Sequence, residues 1–240
     1  MIPLKDENPT ELTPYATVLL IALNAAVWIL LQGAGSEQAL VASVDAFGAV
    51  PCEITAACPA TGLGWSSIVT SMFMHGSWEH ILGNMLFLWV FGNNIEDSMG
   101  HLRFVVFYLV CGVAAALAHI LLAPTSAIPT VGASGAISGI MGGYILLYPK
   151  VRVRTWIPPF FLIYLPAYVM LGWWFVGQLL MASVTIGPQA GEQGGVAFWA
   201  HVGGFVAGLV LIHPFAKRRL VAAKRNKVQL GDEEVARLEW

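Results

Sequence analysis

The chain has 240 residues, of which 57% are hydrophobic and 11% charged, with a formal net charge of −2 and a mean hydropathy of +0.71. A water-soluble domain carries roughly a quarter charged residues, so a soluble globular protein is excluded and no nucleic-acid partner is expected. The composition is that of a polytopic membrane protein, in contact with membrane lipids.

Residues 1–12 read as a short cytoplasmic N-terminus. Apolar segments near the ~20 residues that cross a bilayer follow at 13–32, 79–95, 101–123, 131–148, 160–183 and 196–215, taken here as spans one to six. Span one follows an acidic, proline-containing stretch without a small-residue cleavage site, so it is expected to be retained rather than removed as a signal peptide. The connection at 33–78 contains PCEITAACP, in which Cys52 and Cys58 are compatible both with a disulfide in an oxidising exterior and with two free thiols. Cys111, within span three, reads as packing. The connections at 33–78, 124–130 and 184–195 contain no Lys or Arg, and all 12 basic residues fall on the side of the termini. Positive charge marks the cytoplasmic side, which predicts cytoplasmic N- and C-termini. The tail at 216–240 is basic and then acidic, and reads as a cytoplasmic segment suited to anionic lipid. The expected fold is all-α: one six-transmembrane-helix bundle over 13–215.

A strongly polar side chain inside a span is by default a functional feature. His80 and Asn84 fall in span two, His119 in span three, Ser134 in span four and His201 in span six. Spans two, four and six run from outside to inside. At ~1.5 Å per residue, His80, Asn84, Ser134 and His201 all lie within roughly 10 Å of the outer helix ends. A serine hydroxyl becomes a nucleophile when a base removes its proton, and a neutral imidazole suits that task near pH 7. Ser134 and His201 are the pair for it. The oxyanion that forms needs aimed donors. His80 and Asn84, four apart, share a helix face, and Ser134 opens span four, where free N–H groups and the helix dipole favour an anion. No acid is placed to orient His201, so a dyad is expected rather than a triad. In VGASGAISG (131–139), Gly135 and Gly139 are spaced for close helix packing in a membrane.

GASG at 132–135, HGSWEHILGN at 75–84 and AHVGGFVAG at 200–208 together resemble the rhomboid intramembrane serine proteases. A lone GxSG would be weak, but here three motifs stand in the right order on the right spans. The resemblance implies Ser134 as nucleophile, His201 as base, His80 and Asn84 as oxyanion donors, and Gly204 and Gly208 packing span six against span four. Gly132, Gly135 and Gly139 are expected to serve packing near the site as well. It further implies an endopeptidase that cuts single-span membrane proteins in or near the outer end of their transmembrane helix, without cofactor or metal. Two departures stand out. A Trp-Arg pair common in the first outside loop is Trp65-Ser66 here, and an aromatic residue four after the nucleophile is Ser138, so something else must orient His201. Inactive relatives usually lack the serine or the histidine, and this chain keeps both.

Other readings are weaker. His75 to His80 is H-x-x-x-E-H, one residue too long for an inverted zinc-protease motif, and no pair of acids lies deep in a span for aspartyl proteolysis. A small transporter would continue its polar lining to the far side, which spans two, four and six do not. A non-proteolytic protein that binds transmembrane helices would tolerate loss of Ser134. His75 reads as structural, His119 as packing or hydrogen-bonding to a neighbouring span, and His101 and His213 as residues near the cytoplasmic surface. Trp173, Trp174 and Phe175 are compatible with a lateral gate and equally with ordinary lipid contact. The short N-terminus and compact length point to a bacterial plasma membrane, with the site opening to the outside.

Overall fold

In the computed structural model, residues 1–184, 197–226 and 230–238 are described. The connection expected at 184–195 falls almost wholly outside them. Strand β1 (Ile2–Asp6) precedes helix α1 (Tyr15–Ala26), which runs on through a π-helical stretch at Val27–Leu31. Then come α2 (Glu37–Phe47), α3 (Pro51–Ile54) and α4 (Ser67–Thr70). α5 (Trp78–Phe87) passes through a second π-helical stretch, Leu88–Gly92, into α6 (Asn93–Met99). α7 (His101–Leu122), α8 (Ser134–Leu147), β2 (Arg152–Ile157), β3 (Phe161–Pro166), α9 (Ala167–Val184), α10 (Phe198–Phe215), α11 (Arg218–Asn226) and α12 (Asp232–Leu238) complete the order. Among the described residues, α7, α9 and α10 are long and apolar enough to cross a membrane alone, while Tyr15–Leu31 and Ser134–Leu147 are shorter apolar helices.

The helical class holds, and a three-stranded antiparallel sheet of order β1-β2-β3 is added to it. Span five, read from residue 160, becomes helical only at Ala167. Phe161–Tyr164 is rich in aromatic and β-branched residues that favour strand, and Pro166 stands just before the helix, where a missing N–H does no harm. The sheet pairs Arg152 with Pro166 and Ile157 with Phe161, and on its other edge Asp6 with Val153. The first N–H groups of α9 then find partners in the preceding chain: Ala167 donates to the Val151 carbonyl and Tyr168 to that of Pro149.

The long connection between α1 and α5 is ordered. Cys52 and Cys58 form a disulfide, with their Cα atoms 5.2 Å apart. Trp65 is exposed, and the segment is fastened by other bonds. Gln32 makes a two-way clasp on the backbone of His75, at 2.8 and 2.9 Å. Thr70 Oγ1 donates to the Phe47 carbonyl and Thr55 Oγ1 to that of Pro124.

Helices α7, α8 and α10 pack against one another at the centre, and glycine permits it. A methyl group on Gly204 would overlap the carbonyl of Gly135, and one on Gly208 the carbonyl of Gly139. A methyl group on Gly139 would strike Cys111 of α7, and one on Gly135 would lie 2.6 Å from the Ala115 side chain. Close backbone approach of this kind replaces the hydrophobic drive that lipid does not supply between helices.

At the opposite end of the bundle from Ser134, two buried acids of α6 gather the chain termini. Glu96 accepts from the backbone of Ala16 and Thr17 at 2.9 and 2.8 Å, from Thr17 Oγ1 at 2.6 Å, and lies 2.5 Å from His101 Nδ1. It thereby satisfies the start of α1, which has no side-chain cap of its own. Asp97 accepts from the backbone of Glu11 and Leu12 through one oxygen and pairs with Lys224 of α11 at 2.7 Å through the other. Glu96→Ala strands these donors in a buried site, so a stability loss of about 3–5 kcal/mol is expected. Thermal unfolding in detergent should read it as a lowered midpoint; an unchanged midpoint would refute this account of α1.

Candidate active site

Helix α5 begins at a serine cap: Ser77 Oγ accepts from the backbone N–H of His80 at 3.1 Å. The cap sets His80 in the first turn, and Asn84 follows one turn later on the same face. α8 begins at Ser134, after a segment fastened by backbone bonds from Thr130 to Ala49 and from Gly132 to Ser71. His201 lies in the first turn of α10. These three helix starts meet around a cavity of about 610 Å³, lined among others by His80, Asn84, Gly132, Ser134, Trp174 and His201.

His201 Nε2 lies 2.8 Å from Ser134 Oγ, a direct hydrogen bond between α10 and α8. Gly132 was expected to serve helix packing; it lies before α8 instead, with φ of 122°, a conformation that side chains resist. A Cβ there would sit 2.7 Å from His80 Nε2 and 3.5 Å from Asn84 Nδ2, so both side chains face the backbone beside Ser134. His80 Nδ1 is positioned to accept from the Gly76 N–H at 3.3 Å, which puts the ring proton on Nε2, the nitrogen facing Gly132. Asn84 Nδ2 is buried and has no hydrogen-bond partner among the described residues. Two N–H donors therefore converge on a space next to the serine, together with the free N–H groups that open α8. Nucleophile, base and anion donors are the chemical capacity of such an arrangement.

Ser138 turns its hydroxyl onto the Ser134 carbonyl at 2.6 Å and leaves His201 untouched. The contacts to the imidazole come from α9 and from α10 itself. Trp174 lies 5.9 Å away by ring centroid and Phe198 6.4 Å away edge-on, and Gln178 Oε1 lies 2.7 Å from His201 Nδ1. Sequence reasoning missed Gln178. The available signal was its isolation as the single amide in an otherwise apolar span. The neighbouring aromatics divide in role: Trp173 is exposed, Trp174 lines the cavity, and Phe175 stacks on Phe205 at 4.4 Å. His119 is buried outside the cavity lining. Among the described residues, no group of three or more His, Cys, Asp or Glu side chains is placed to hold a metal ion.

Residues 63–218 match the family model of the Rhomboid domain. The chain belongs to the rhomboid family. Over 159 residues it is 30% identical to rhomboid-like protein 11, chloroplastic, of Arabidopsis thaliana, covering 64% of this chain and 53% of that protein. It is 33% identical over 144 residues to the rhomboid protease GluP of Bacillus subtilis, covering 59% and 26% of the two chains. With rhomboid protein 1, mitochondrial, of Saccharomyces cerevisiae it shares 28% over 170 residues, 66% of this chain and 46% of the other. The chain thus spans about half or less of the length of these relatives. With its apolar helices it is an integral membrane protein, in a family that includes intramembrane serine proteases as well as inactive members.

Behind His80 in this rhomboid stands His75, fully buried just before α5, with its ring 5.2 Å from that of His80. Burial, and secondarily the His80 ring, push its pKa from 6.5 down to about 3. The folded state therefore holds the imidazole neutral, whereas the unfolded chain takes up a proton below about 6.5. This contribution to stability is complete above pH 6.5 and is lost as pH falls towards 3. Asp6, buried at the other end and raised to about 6, acts in the opposite sense, gaining stability as pH falls through that value. The drop in thermal midpoint between pH 7 and pH 4 is expected to be smaller in His75→Leu than in wild type, with Asp6 common to both. Equal drops would show that His75 does not carry the acid sensitivity.

Proposed function

We propose that this rhomboid is an intramembrane serine endopeptidase that cuts single-span membrane proteins in or near the outer end of their transmembrane helix. The reading is carried by the 2.8 Å bond between Ser134 Oγ and His201 Nε2 at a cavity. His201 takes the serine proton as Oγ attacks a substrate carbonyl, then delivers it to the leaving amide nitrogen. Water repeats the sequence to release the acyl-enzyme. His80 Nε2–H, Asn84 Nδ2–H and the first N–H groups of α8 receive the oxyanion. The substrate helix must unwind locally, because a helical carbonyl is already hydrogen-bonded and flanked by its own side chains.

The six helical segments form one domain over 13–215, flanked by cytoplasmic segments at 1–12 and 216–240 in a bacterial plasma membrane. Lys224 and the backbone of Leu12 meet on Asp97, which favours both termini on one side. α8 is 14 residues, or about 21 Å at 1.5 Å per residue, against a hydrocarbon layer of roughly 30 Å. Its first residue therefore sits below the outer surface, which suits a site reached by water through a cavity.

Purified wild-type protein is expected to cleave a single-span substrate in detergent, and Ser134→Ala and His201→Ala to lose cleavage. A fluorophosphonate probe should label Ser134 in wild type and not in His201→Ala. Equal cleavage by all three proteins would sink the dyad and favour a helix-binding role. His80→Ala and Asn84→Ala should each lower kcat by about 10²–10³ with a smaller change in KM. Loss confined to KM would instead assign those residues to substrate binding.

A further inference from the structure

Helix α9 carries Gln178 in a run, LGWWFVGQLLMASV, that offers no other side-chain amide. A primary amide within a spanning helix is costly unless it is paired. Here it is paired with the outer nitrogen of His201: Gln178 Oε1 lies 2.7 Å from Nδ1. An amide oxygen only accepts, so Nδ1 carries the proton and donates, and the ring's other nitrogen is left bare. That nitrogen, Nε2, faces Ser134 Oγ at 2.8 Å, and the serine O–H is then the donor. Trp174, one turn before Gln178 on the same face of α9, lies against the same imidazole.

We propose that Gln178 is a positioning residue: by accepting from Nδ1–H it fixes the tautomer and orientation in which His201 can act as base. The proposal rests on the Ser134–His201 dyad. It fills the role for which no acid was placed, with a neutral group in the position a carboxylate takes in a triad. It also makes the base depend on a third helix. α9 buries Ala167, Met170 and Leu171 near its start and Ala182 near its end, and between them Phe175 stacks on Phe205 and Gln178 meets His201 of α10.

The test compares full-length wild type with Gln178→Leu, Gln178→Met and Gln178→Glu, reading kcat, KM, the pH profile of kcat/KM and the rate of fluorophosphonate labelling. Gln178→Leu and Gln178→Met lack the acceptor. They are expected to lose kcat and labelling rate by about 10-fold or more with KM little changed, against the roughly 10⁴-fold seen when a triad imidazole takes the wrong tautomer. Gln178→Glu can only accept, so it should keep activity. Its carboxylate also stabilises the imidazolium, so the acid limb of its profile should move up by about one pH unit. The titratable groups around His201 are His80 from α5 and His119 from α7, both present in every variant.

Wild-type kcat and labelling in both Leu and Met variants would overturn the proposal. So would equal loss in Gln178→Glu and Gln178→Leu with no shift of the profile, which would mark a packing role. Should one apolar variant fail to fold, the other and the Glu profile still decide. Ser134→Ala separates the two layers: if it cleaves like wild type, the dyad itself has failed, whatever Gln178 does.

Discussion

Everything at the site depends on how closely α8 can approach α10. Ser134 Oγ and His201 Nε2 stand 2.8 Å apart across the seam where these two helices meet through glycine. The glycines of the two helices meet in register. Gly204 lies against the carbonyl of Gly135, and one turn further on Gly208 lies against the carbonyl of Gly139. At both contacts the backbone of α8 occupies the space where α10 would carry a Cβ. Ser134 precedes Gly135 by one residue and His201 precedes Gly204 by three. Ser134 and His201 therefore sit within a turn of the contact between Gly135 and Gly204.

The other end of the bundle uses a different device. There the chain must bring together an N-terminal segment, the end of α6 and the returning tail, and it does so with charge. Glu96 and Asp97 are consecutive, so on a helix they point about 100° apart. One carboxylate serves the start of α1 and the other joins the N-terminal segment to Lys224. Burying two acids is tolerable because each oxygen has its partner. Asp6 adds a third buried acid between Asn94 and Tyr144, and the strand that carries it pairs with β2. The N-terminal residues are thus an edge of the sheet and part of the packed end of the bundle.

Much of the site was legible in the sequence because its members share a depth, and depth can be counted from helix ends. Ser134, His201, His80 and Asn84 needed only span boundaries good to a turn. What escaped was of three kinds. Gln178 lies at the same depth, near the outer end of span five, but a lone amide there becomes meaningful only when α9 is placed beside His201. The sheet escaped because Phe160–Pro166 is as apolar as any span; hydropathy does not separate a strand from a helix, and only the β-branched and aromatic bias with a following proline does so. Gly132 escaped for a local reason: it shares a motif with packing glycines, yet its positive φ and the nearness of His80 give it a different task.

Ser138 ties these threads together. An aromatic side chain there would project from α8 beside His201, supplied by the same helix as Ser134. The hydroxyl instead bonds back to the Ser134 carbonyl, and the ring contacts to His201 come from Trp174 of α9 and Phe198 of α10. That transfer changes which helices must be in register. α9 enters the bundle from β3 with its first N–H groups spent on Val151 and Pro149, so its starting point is fixed by the sheet. The sheet in turn is fixed through Asp6 to α6 and α8. The helix that sets Trp174 and Gln178 against His201 is therefore anchored by an element that hydropathy read as the beginning of a span, at the far end of the molecule from Ser134.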